Sequence, residues 1–186
     1  MNQNKIILGF VGEISSGKGT ACKYLNEKYG AGTYRFSTII RDILDRLFLP
    51  QSRENMQNMS TLLRQNFSED ILAKVMAKQV SENKADIICV DGIRRLADIG
   101  HLKQLPGFHL IHLSADERKR YDRIVGRAEN TDDTSKTFEQ FQLDQQQEAD
   151  AEISEVAKGA TIKVVNDGNF DELYAELDKL IQGLKN

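Results

Sequence analysis

The apolar residues of this 186-residue chain fall into two patterns, continuous runs and runs with helical spacing. The continuous runs, bounded by glycine or polar residues, cover residues 5–11, 86–90, 108–113 and 160–165. Such runs are typical of strands that are buried on both faces of a parallel sheet. A fifth and shorter strand is predicted over residues 33–36.

The segments between these strands carry apolar residues at spacings of three and four, which predicts helices. The first helix is stopped by Gly30, and a later one is opened by Ser68 with two acidic residues in its first turn. Strands that alternate with helices predict an α/β fold, in which helices cover both faces of a parallel sheet. Ligands bind such sheets at the carboxyl ends of the strands. The predicted helices cover residues 17–29, 39–48, 56–63, 68–80, 115–128, 137–158 and 170–184.

Length and composition indicate one globular domain over residues 1–186. Apolar residues make up 40% of the chain and charged residues 28%, and only two prolines occur, so no proline-rich linker divides it. The first apolar run is broken by Gly9 and Gly12, which makes it too short for a signal peptide or a membrane span. Cys22 and Cys89 lie outside any Cys or His cluster, which argues against zinc and favours a reducing, cytoplasmic compartment.

Charge is distributed unevenly along the chain, whose net charge is −3. Residues 1–127 carry 20 basic and 14 acidic side chains, and all eleven arginines lie between Arg35 and Arg127. Solvated helix faces would account for part of this bias, but clustered arginines also bind phosphate bidentately. Because a net acidic chain is unsuited to nucleic acid, the pattern favours a small phosphorylated ligand.

A glycine-rich loop follows the first predicted strand and precedes the first predicted helix. Residues 12–20 have the sequence Gly-Glu-Ile-Ser-Ser-Gly-Lys-Gly-Thr, which matches the phosphate-loop pattern G-x-x-x-x-G-K. Glycines let successive backbone N–H groups point at a phosphate, which also faces the positive end of the helix. Gly19 stands where a serine or threonine is usual, so the hydroxyl that would contact magnesium is displaced to Thr20. The predicted ATP-binding residues of this loop are Gly12, Ser15, Ser16, Gly17, Lys18, Gly19 and Thr20.

Three motifs resemble those of adenylate kinase and related nucleoside monophosphate kinases. Residues 17–20 (Gly-Lys-Gly-Thr) are similar to the phosphate-loop variant of these enzymes. Residues 90–94 (Val-Asp-Gly-Ile-Arg) look like their strand-end aspartate, glycine and acceptor-binding arginine, and residues 121–127 contain an arginine pair similar to the one that opens their lid. The similarity runs from residue 5 to about residue 181 and looks closest to the small adenylate-kinase-related and deoxynucleoside monophosphate kinase-like proteins.

The resemblance implies a P-loop NTPase fold with a five-stranded parallel sheet and a short lid over residues 128–136. It also implies that the donor is ATP with Mg²⁺, and that Thr20 and Asp91 arrange the metal. The lid arginines would neutralise charge on the transferring phosphate. The catalytic residues that the resemblance implies are Lys18, Asp91, Arg123 and Arg127.

The resemblance further implies where the two nucleotides bind. Residues 37–82 correspond to the acceptor-binding helical region, and the turn at residues 166–168 resembles the one that lines the adenine pocket, which adds Asn166 and Gly168 to the ATP-binding residues. Dephospho-coenzyme A kinases have a similar Asn-Asp-Gly turn and remain an alternative. The usual Gly-Asp is missing after Thr38, so the base of the acceptor stays open. The implied acceptor-binding residues are Arg41, Arg53, Arg64 and Arg94.

The chemistry of single residues supports the same site. Asp91 ends a predicted apolar strand, where a carboxylate can hold magnesium or its water shell, although a helix cap is the alternative. Arg94 lies near the same strand end, and its alternative is a solvated side chain. Arg120, Arg123 and Arg127 form one basic stripe at helical spacing, and the polar loop that follows favours a lid over a merely solvated face.

Arg53 and Arg64 are harder to place in one site. They are eleven residues apart, which is about three turns and roughly 16 Å along a straight helix. Both arginines could contact one acceptor only if the chain bends between them. Alternatively, one of them contacts the acceptor and the other is a salt-bridge partner. Arg41 lies on the preceding predicted helix, with Asp42 and Asp45 as neighbouring acids.

The sequence therefore predicts a cytoplasmic, magnesium-dependent P-loop kinase that moves the γ-phosphate of ATP to a nucleoside monophosphate or a similar phosphorylated acceptor. Dephospho-coenzyme A is the alternative acceptor. A nucleotide-dependent regulatory or interaction protein with little transfer activity is the alternative of another class. No nucleic acid or membrane partner is expected, and the acceptor, its sugar and the oligomeric state stay open.

Overall fold

A computed structural model describes residues 5–127, 134, 136–145 and 152–185. Its five strands are β1 (Ile6–Val11), β2 (Gly32–Arg35), β3 (Ile87–Ile93), β4 (Phe108–Ser114) and β5 (Ile162–Val165). They form one parallel sheet in the order β2-β3-β1-β4-β5. The prediction of an α/β, P-loop NTPase-like fold with a five-stranded parallel sheet is confirmed.

The strands alternate along the chain with one or more helices. A short 3₁₀ turn over Leu102–Gln104 leads into β4. The helices are α1 (Lys18–Tyr29), α2 (Phe36–Arg46), α3 (Arg53–Asn66), α4 (Ile71–Glu82), α5 (Leu96–Ile99), α6 (Glu117–Arg127), α7 (Phe138–Asp144), α8 (Ile153–Lys158) and α9 (Phe170–Lys185).

The burial of the central strand β1 on both faces explains why its sequence is apolar without alternation. All six of its residues are buried, because helices cover the sheet on both faces. One face packs against α2, α4 and α8 through residues such as Leu44, Met76 and Val156. The other face packs against α1 and α9 through residues such as Leu25 and Leu177. The sheet is thus held between two apolar layers, and its carboxyl ends are left for ligands.

Two predicted elements differ from the structure. The strand predicted over residues 86–90 continues to Ile93, because Val11 pairs with Ile93 beyond an irregularity in the β1–β3 ladder and Arg35 pairs with Asp91. Asp91 therefore lies inside a strand and not after one. The helix predicted over residues 137–158 is wrong as one element, since α7 ends at Asp144 and α8 begins at Ile153.

The predicted lid over residues 128–136 lies almost wholly outside the described residues, with only residues 134 and 136 inside them. Lys136 is buried, and its Nζ donates to Asp144 Oδ2 at 2.6 Å. The Tyr121 hydroxyl donates to the Lys136 carbonyl at 2.9 Å, which joins this end of the segment to α6. Among the described helices, none combines the length and the apolar character that a membrane crossing needs.

Candidate functional site

The phosphate loop connects β1 to α1 and requires glycine at two positions. Gly12 has a φ of 156° and Gly17 a φ of 108°, which are conformations that side chains disfavour. A Cβ on Gly12 would lie 2.1 Å from the Leu113 carbonyl oxygen, and one on Gly17 would lie 2.2 Å from Asn166 Nδ2. The loop therefore packs directly against the end of β4 and the chain that leaves β5.

Lys18, the first residue of α1, has its amine over the loop that precedes it. The Nζ atom donates to the carbonyl oxygens of Gly12 at 2.7 Å and Glu13 at 2.8 Å, and it lies 3.4 Å from Ser16 Oγ. Ser16 is fully buried, whereas Ser15 has a positive φ of 59° and lines the cleft described below. The positive charge of Lys18 is thus held at the mouth of the loop, where a bound phosphate would be placed.

Asp91 is buried next to the phosphate loop and is only partly satisfied. Its Oδ2 accepts a hydrogen bond from Arg35 Nε at 3.1 Å, but its buried Oδ1 has no hydrogen-bond partner among the described residues. A Cβ on Gly19 would lie 3.9 Å from Asp91 Oδ2, so carboxylate and loop are neighbours. A buried carboxylate oxygen without a donor suits a cation or its water shell, and Thr20 adds a hydroxyl on the lining of the same cleft. These residues fit Mg²⁺.

Arg35 is a site residue that the sequence analysis missed. It is the last residue of β2, pairs with Asp91 in the sheet, and also lines the cleft. A Cβ on Gly19 would lie 2.9 Å from Arg35 Nη2, which places this guanidinium against the phosphate loop as well. The sequence feature that could have identified Arg35 is its position at the end of a strand, because the other candidate residues also lie at the carboxyl ends of strands.

Asn166 clamps three parts of the site together. Its side-chain Nδ2 donates to the Ser16 carbonyl at 2.8 Å, its backbone N–H donates to the Ser114 carbonyl at 2.8 Å, and its own carbonyl accepts from Arg123 Nη2 at 2.9 Å. The side chain is buried. Asn166 therefore holds the phosphate loop to β4 and α6.

The arginines of the predicted basic stripe on α6 have different surroundings in the structure. Arg123 lines the cleft, and its buried Nη1 has no hydrogen-bond partner within the described part of the chain, which suits an incoming anion. Arg120 is buried elsewhere, and its Nη1 donates to Gln145 Oε1 at 2.6 Å. The side chain of Arg127 lies outside the described residues, so its predicted part in a lid stays a prediction.

A single cleft of about 1030 Å³ joins these parts. It opens at the carboxyl ends of β1, β2, β3 and β5, as expected for this class of sheet. Ser16 is absent from its lining. The predicted site residues that line it are Gly12, Ser15, Gly17, Lys18, Gly19, Thr20, Arg41, Arg53, Arg64, Asp91, Arg94, Arg123, Asn166 and Gly168.

The predicted acceptor arginines line the cleft in different states. Arg94 is exposed, and its backbone N–H donates to Asp98 Oδ2 at 3.0 Å. Arg41 donates to Gln51 Oε1 at 2.7 Å, and Arg53 Nη1 lies 3.2 Å from Asp144 Oδ2 on α7. The cleft lining also includes Gln57, Ser60 and Thr61 on one side of α3. Their helical spacing with Arg53 and Arg64 could have indicated from the sequence that they share this face.

Arg64 belongs to a buried ion pair. Its Nη2 lies 2.7 Å from Asp98 Oδ1, and the two side chains are 5% and 2% exposed. Its Nη1 also donates to the Glu69 carbonyl oxygen. Because Asp98 accepts the backbone N–H groups of both Arg94 and Arg95, the pair fixes the turn that carries Arg94. This is the salt-bridge alternative considered for Arg64.

The two cysteines are core residues. Cys22 on α1 and Cys89 on β3 are both buried. A hydrogen bond between the two thiols and burial raise the pKa of Cys22 well above its ordinary value. A raised pKa keeps the thiol protonated, so the dipole of α1 does not make Cys22 a nucleophile.

Comparisons with known proteins identify the family of this chain and relatives of similar length. The family model described as AAA domain matches residues 11–142. A UPF0200 protein from Methanoregula boonei is 29% identical over 180 residues, which covers 96% of this chain and 97% of the relative. The UPF0200 protein MMP1282 from Methanococcus maripaludis is 25% identical over 182 residues, covering 97% of this chain and 98% of the relative.

Two solved structures share the fold over nearly the whole chain. TT1252 from Thermus thermophilus superposes with a TM-score of 0.61 at 19% identity, covering 98% of this chain and 100% of the other. Shikimate kinase from Acinetobacter baumannii, in complex with shikimate, superposes with a TM-score of 0.54 at 16% identity, covering 98% and 96%. The fold is therefore a P-loop, kinase-like one.

Breaking the Arg64–Asp98 pair should be costly. The substitution Asp98→Ala removes the buried acid that pairs with the Arg64 guanidinium, so we expect the free energy of unfolding to fall by about 3–5 kcal/mol. Urea unfolding measures this change. The matched control is Asp122→Ala, which removes an exposed pair with Arg118 and should cost less than about 1 kcal/mol. Equal unfolding midpoints for the two variants would show that the buried pair does not hold the site together.

Proposed function

We propose that this chain, which belongs to the AAA domain family, is an ATP-dependent phosphotransferase whose acceptor is a nucleoside monophosphate or a similar phosphorylated molecule. The observation that carries the proposal is the shared cleft. Its lining combines the phosphate loop, Asp91, and arginines from α2, α3 and the β3–α5 turn. Donor and acceptor phosphates would meet there.

Phosphoryl transfer asks a protein for positioning and charge neutralisation more than for covalent chemistry. The backbone of residues 12–20 and the amine of Lys18 would hold the β- and γ-phosphates. Arg123 lies on the same cleft with a buried nitrogen still to be satisfied, so it would bind charge that develops on the transferring group. Among the described residues, Lys18 and Arg123 would thus supply positive charge to the ATP phosphates without any closure of a lid.

Mg²⁺ would be held by Thr20 and Asp91, with the remaining positions filled by phosphate oxygens and water. When bound, the ion would neutralise charge on the β- and γ-phosphates. Asp91 is prepared for this role because its Oδ1 has no protein donor among the described residues, while Arg35 contacts its Oδ2. Arg35 would balance the carboxylate and orient it toward the loop.

An acceptor that is already a phosphate anion needs no strong general base. Arg94 would bind it from the rim of the cleft, and Arg41 and Arg53 would exchange their contacts with Gln51 and Asp144 for the acceptor phosphate. Dephospho-coenzyme A, an acceptor that reacts through a hydroxyl, would need a base. Asp91, a carboxylate on the cleft lining, would be the candidate for that task.

One observation favours the alternative of a nucleotide-dependent regulatory protein. Arg41 and Arg53 both contact protein side chains, as they would in a domain that binds ATP without an acceptor. Acceptor-dependent production of ADP separates the two functions. Turnover that rises with a nucleoside monophosphate or with dephospho-coenzyme A supports the kinase, and ATP binding without acceptor-dependent turnover supports the regulatory protein.

Removing the loop lysine should abolish transfer and spare the fold. Lys18→Ala deletes a charge-assisted contact to the transferring phosphate, so we expect kcat to fall about 10²- to 10³-fold. The fold should persist, because the hydrogen bonds that the amine donates to Gly12, Glu13 and Ser16 all lie within the loop. The measurement is steady-state ADP production, with the circular dichroism melt as a check and the exposed Lys84→Ala as the matched control. A folded Lys18→Ala protein with unchanged kcat would disprove the phosphate-loop assignment.

Changing Arg94 should affect the acceptor and not the donor. A guanidinium can bind a phosphate with two parallel hydrogen bonds and an ammonium cannot, so Arg94→Lys should raise the acceptor KM about tenfold to a hundredfold. ATP affinity, measured by calorimetry without acceptor, should stay nearly the same. Arg46→Lys is the control, because Arg46 is exposed on α2 outside the cleft lining.

The opposite split would be informative. If Arg94→Lys weakens ATP binding and leaves the acceptor KM alone, Arg94 belongs to the donor site and the acceptor pocket lies elsewhere in the cleft.

A further inference from the structure

An exposed aromatic ring lines the cleft four residues after Asn166, whose side chain contacts the phosphate loop. Phe170 is the first residue of α9 and follows the turn that begins with Asn166. It lines the same cleft as Lys18 and Gly168, yet 66% of it is exposed. Single exposed apolar residues are common on proteins, so exposure alone decides nothing. Its position on the lining of the cleft that contains the phosphate loop distinguishes Phe170 from such residues.

The ring is the outer end of a stack of three aromatic side chains. Phe170 and Tyr174 have ring centroids 6.2 Å apart with 17° between their planes, and Tyr174 and Tyr24 have centroids 3.9 Å apart with 2° between planes. In the residues that the structure describes, no further ring stacks on Phe170. A planar group from outside the chain would extend the stack by one member.

Hydrogen bonds fix the inner end of this stack. The Tyr24 hydroxyl donates to Asp178 Oδ1 at 2.9 Å, and the Tyr29 hydroxyl donates to the same atom at 2.7 Å. This hydrogen bond to Asp178 raises the pKa of Tyr29, which keeps its hydroxyl a donor. Lys28 Nζ adds a contact of 2.6 Å to Asp178 Oδ2. The stack is therefore pinned between α1 and α9.

One member of the stack lies on the helix that begins at the phosphate loop. Tyr24 lies on α1, which begins with Lys18, so the stack keeps a fixed position relative to the phosphate loop. The amide side chains near the ring already have protein partners. Asn169 Oδ1 accepts the backbone N–H of Glu172 at 3.0 Å, and Asn166 Nδ2 donates to the Ser16 carbonyl at 2.8 Å. The aromatic face is thus the contact that this end of the cleft offers to a flat ligand.

Taking the proposed function as its premise, we infer that Phe170 is the stacking platform for the aromatic base of the donor nucleoside triphosphate. The phosphate loop would hold one end of the nucleotide and Phe170 the other. Stacking on an aromatic side chain accepts any base, because every base has a π-face. The platform accordingly contributes donor affinity, and it does not by itself select adenine over guanine.

The test compares ligands with and without a base. Calorimetry measures the Kd of MgATP, MgGTP and magnesium tripolyphosphate for the wild type, Phe170→Ala and Phe170→Tyr. We expect Phe170→Ala to weaken ATP and GTP by a similar factor, about fivefold to a hundredfold, and to leave tripolyphosphate unchanged. Phe170→Tyr keeps the ring and should bind like the wild type. Phe67→Ala, which removes a ring that is 70% exposed but outside the cleft lining, should change none of the three affinities.

Two outcomes would overturn the inference while the proposed function stands. Phe170→Ala could bind ATP as tightly as the wild type, or it could lose ATP and tripolyphosphate by the same factor, which would mean damage to the phosphate site. A wild-type protein that binds tripolyphosphate but neither ATP nor GTP would contradict the inference and the proposed function together.

Discussion

The close contact of the phosphate loop with the end of β4 and with the chain that leaves β5 is the constraint on which the rest of the site depends. A Cβ on Gly12 or Gly17 would collide with the Leu113 carbonyl or with Asn166, so only glycine allows the approach. Asn166 donates a hydrogen bond to the Ser16 carbonyl and accepts one from Arg123. This one residue therefore links the loop, the end of the sheet and α6. The cations that would meet ATP are positioned by this packing.

Most arginines of the cleft are oriented by a nearby acid or amide. Asp91 binds Arg35, Asp98 binds Arg64, and Asp144 binds Arg53. The pairs differ in burial, and this difference separates their roles. The Arg64–Asp98 pair is almost fully buried and holds the β3–α5 turn, whereas Arg53 is half exposed and its contact with Asp144 can be exchanged for a phosphate at little cost.

The sequence predicts this fold well wherever burial on both sheet faces forces a continuous apolar run, as in β1. The phosphate loop is equally visible, since its glycines are a backbone requirement. Arg35 was missed because its role arises from pairing with Asp91, 56 residues away, and no local spacing records that. The partner of Arg64 was hidden for the same reason. Phe170 was recognised only as a residue of the closing helix, because the opening of the cleft beside it is a property of the assembled sheet.

The central claim is that the cleft joins a donor to an acceptor and does not merely bind ATP. The most direct measurement follows the radioactive label of [γ-³²P]ATP in the presence of Mg²⁺ and a panel of ribo- and deoxynucleoside monophosphates and dephospho-coenzyme A. The account predicts that the label appears on one class of acceptor, with one ADP formed for each label transferred. Label recovered only as inorganic phosphate or unreacted ATP, whichever acceptor is present, would contradict it.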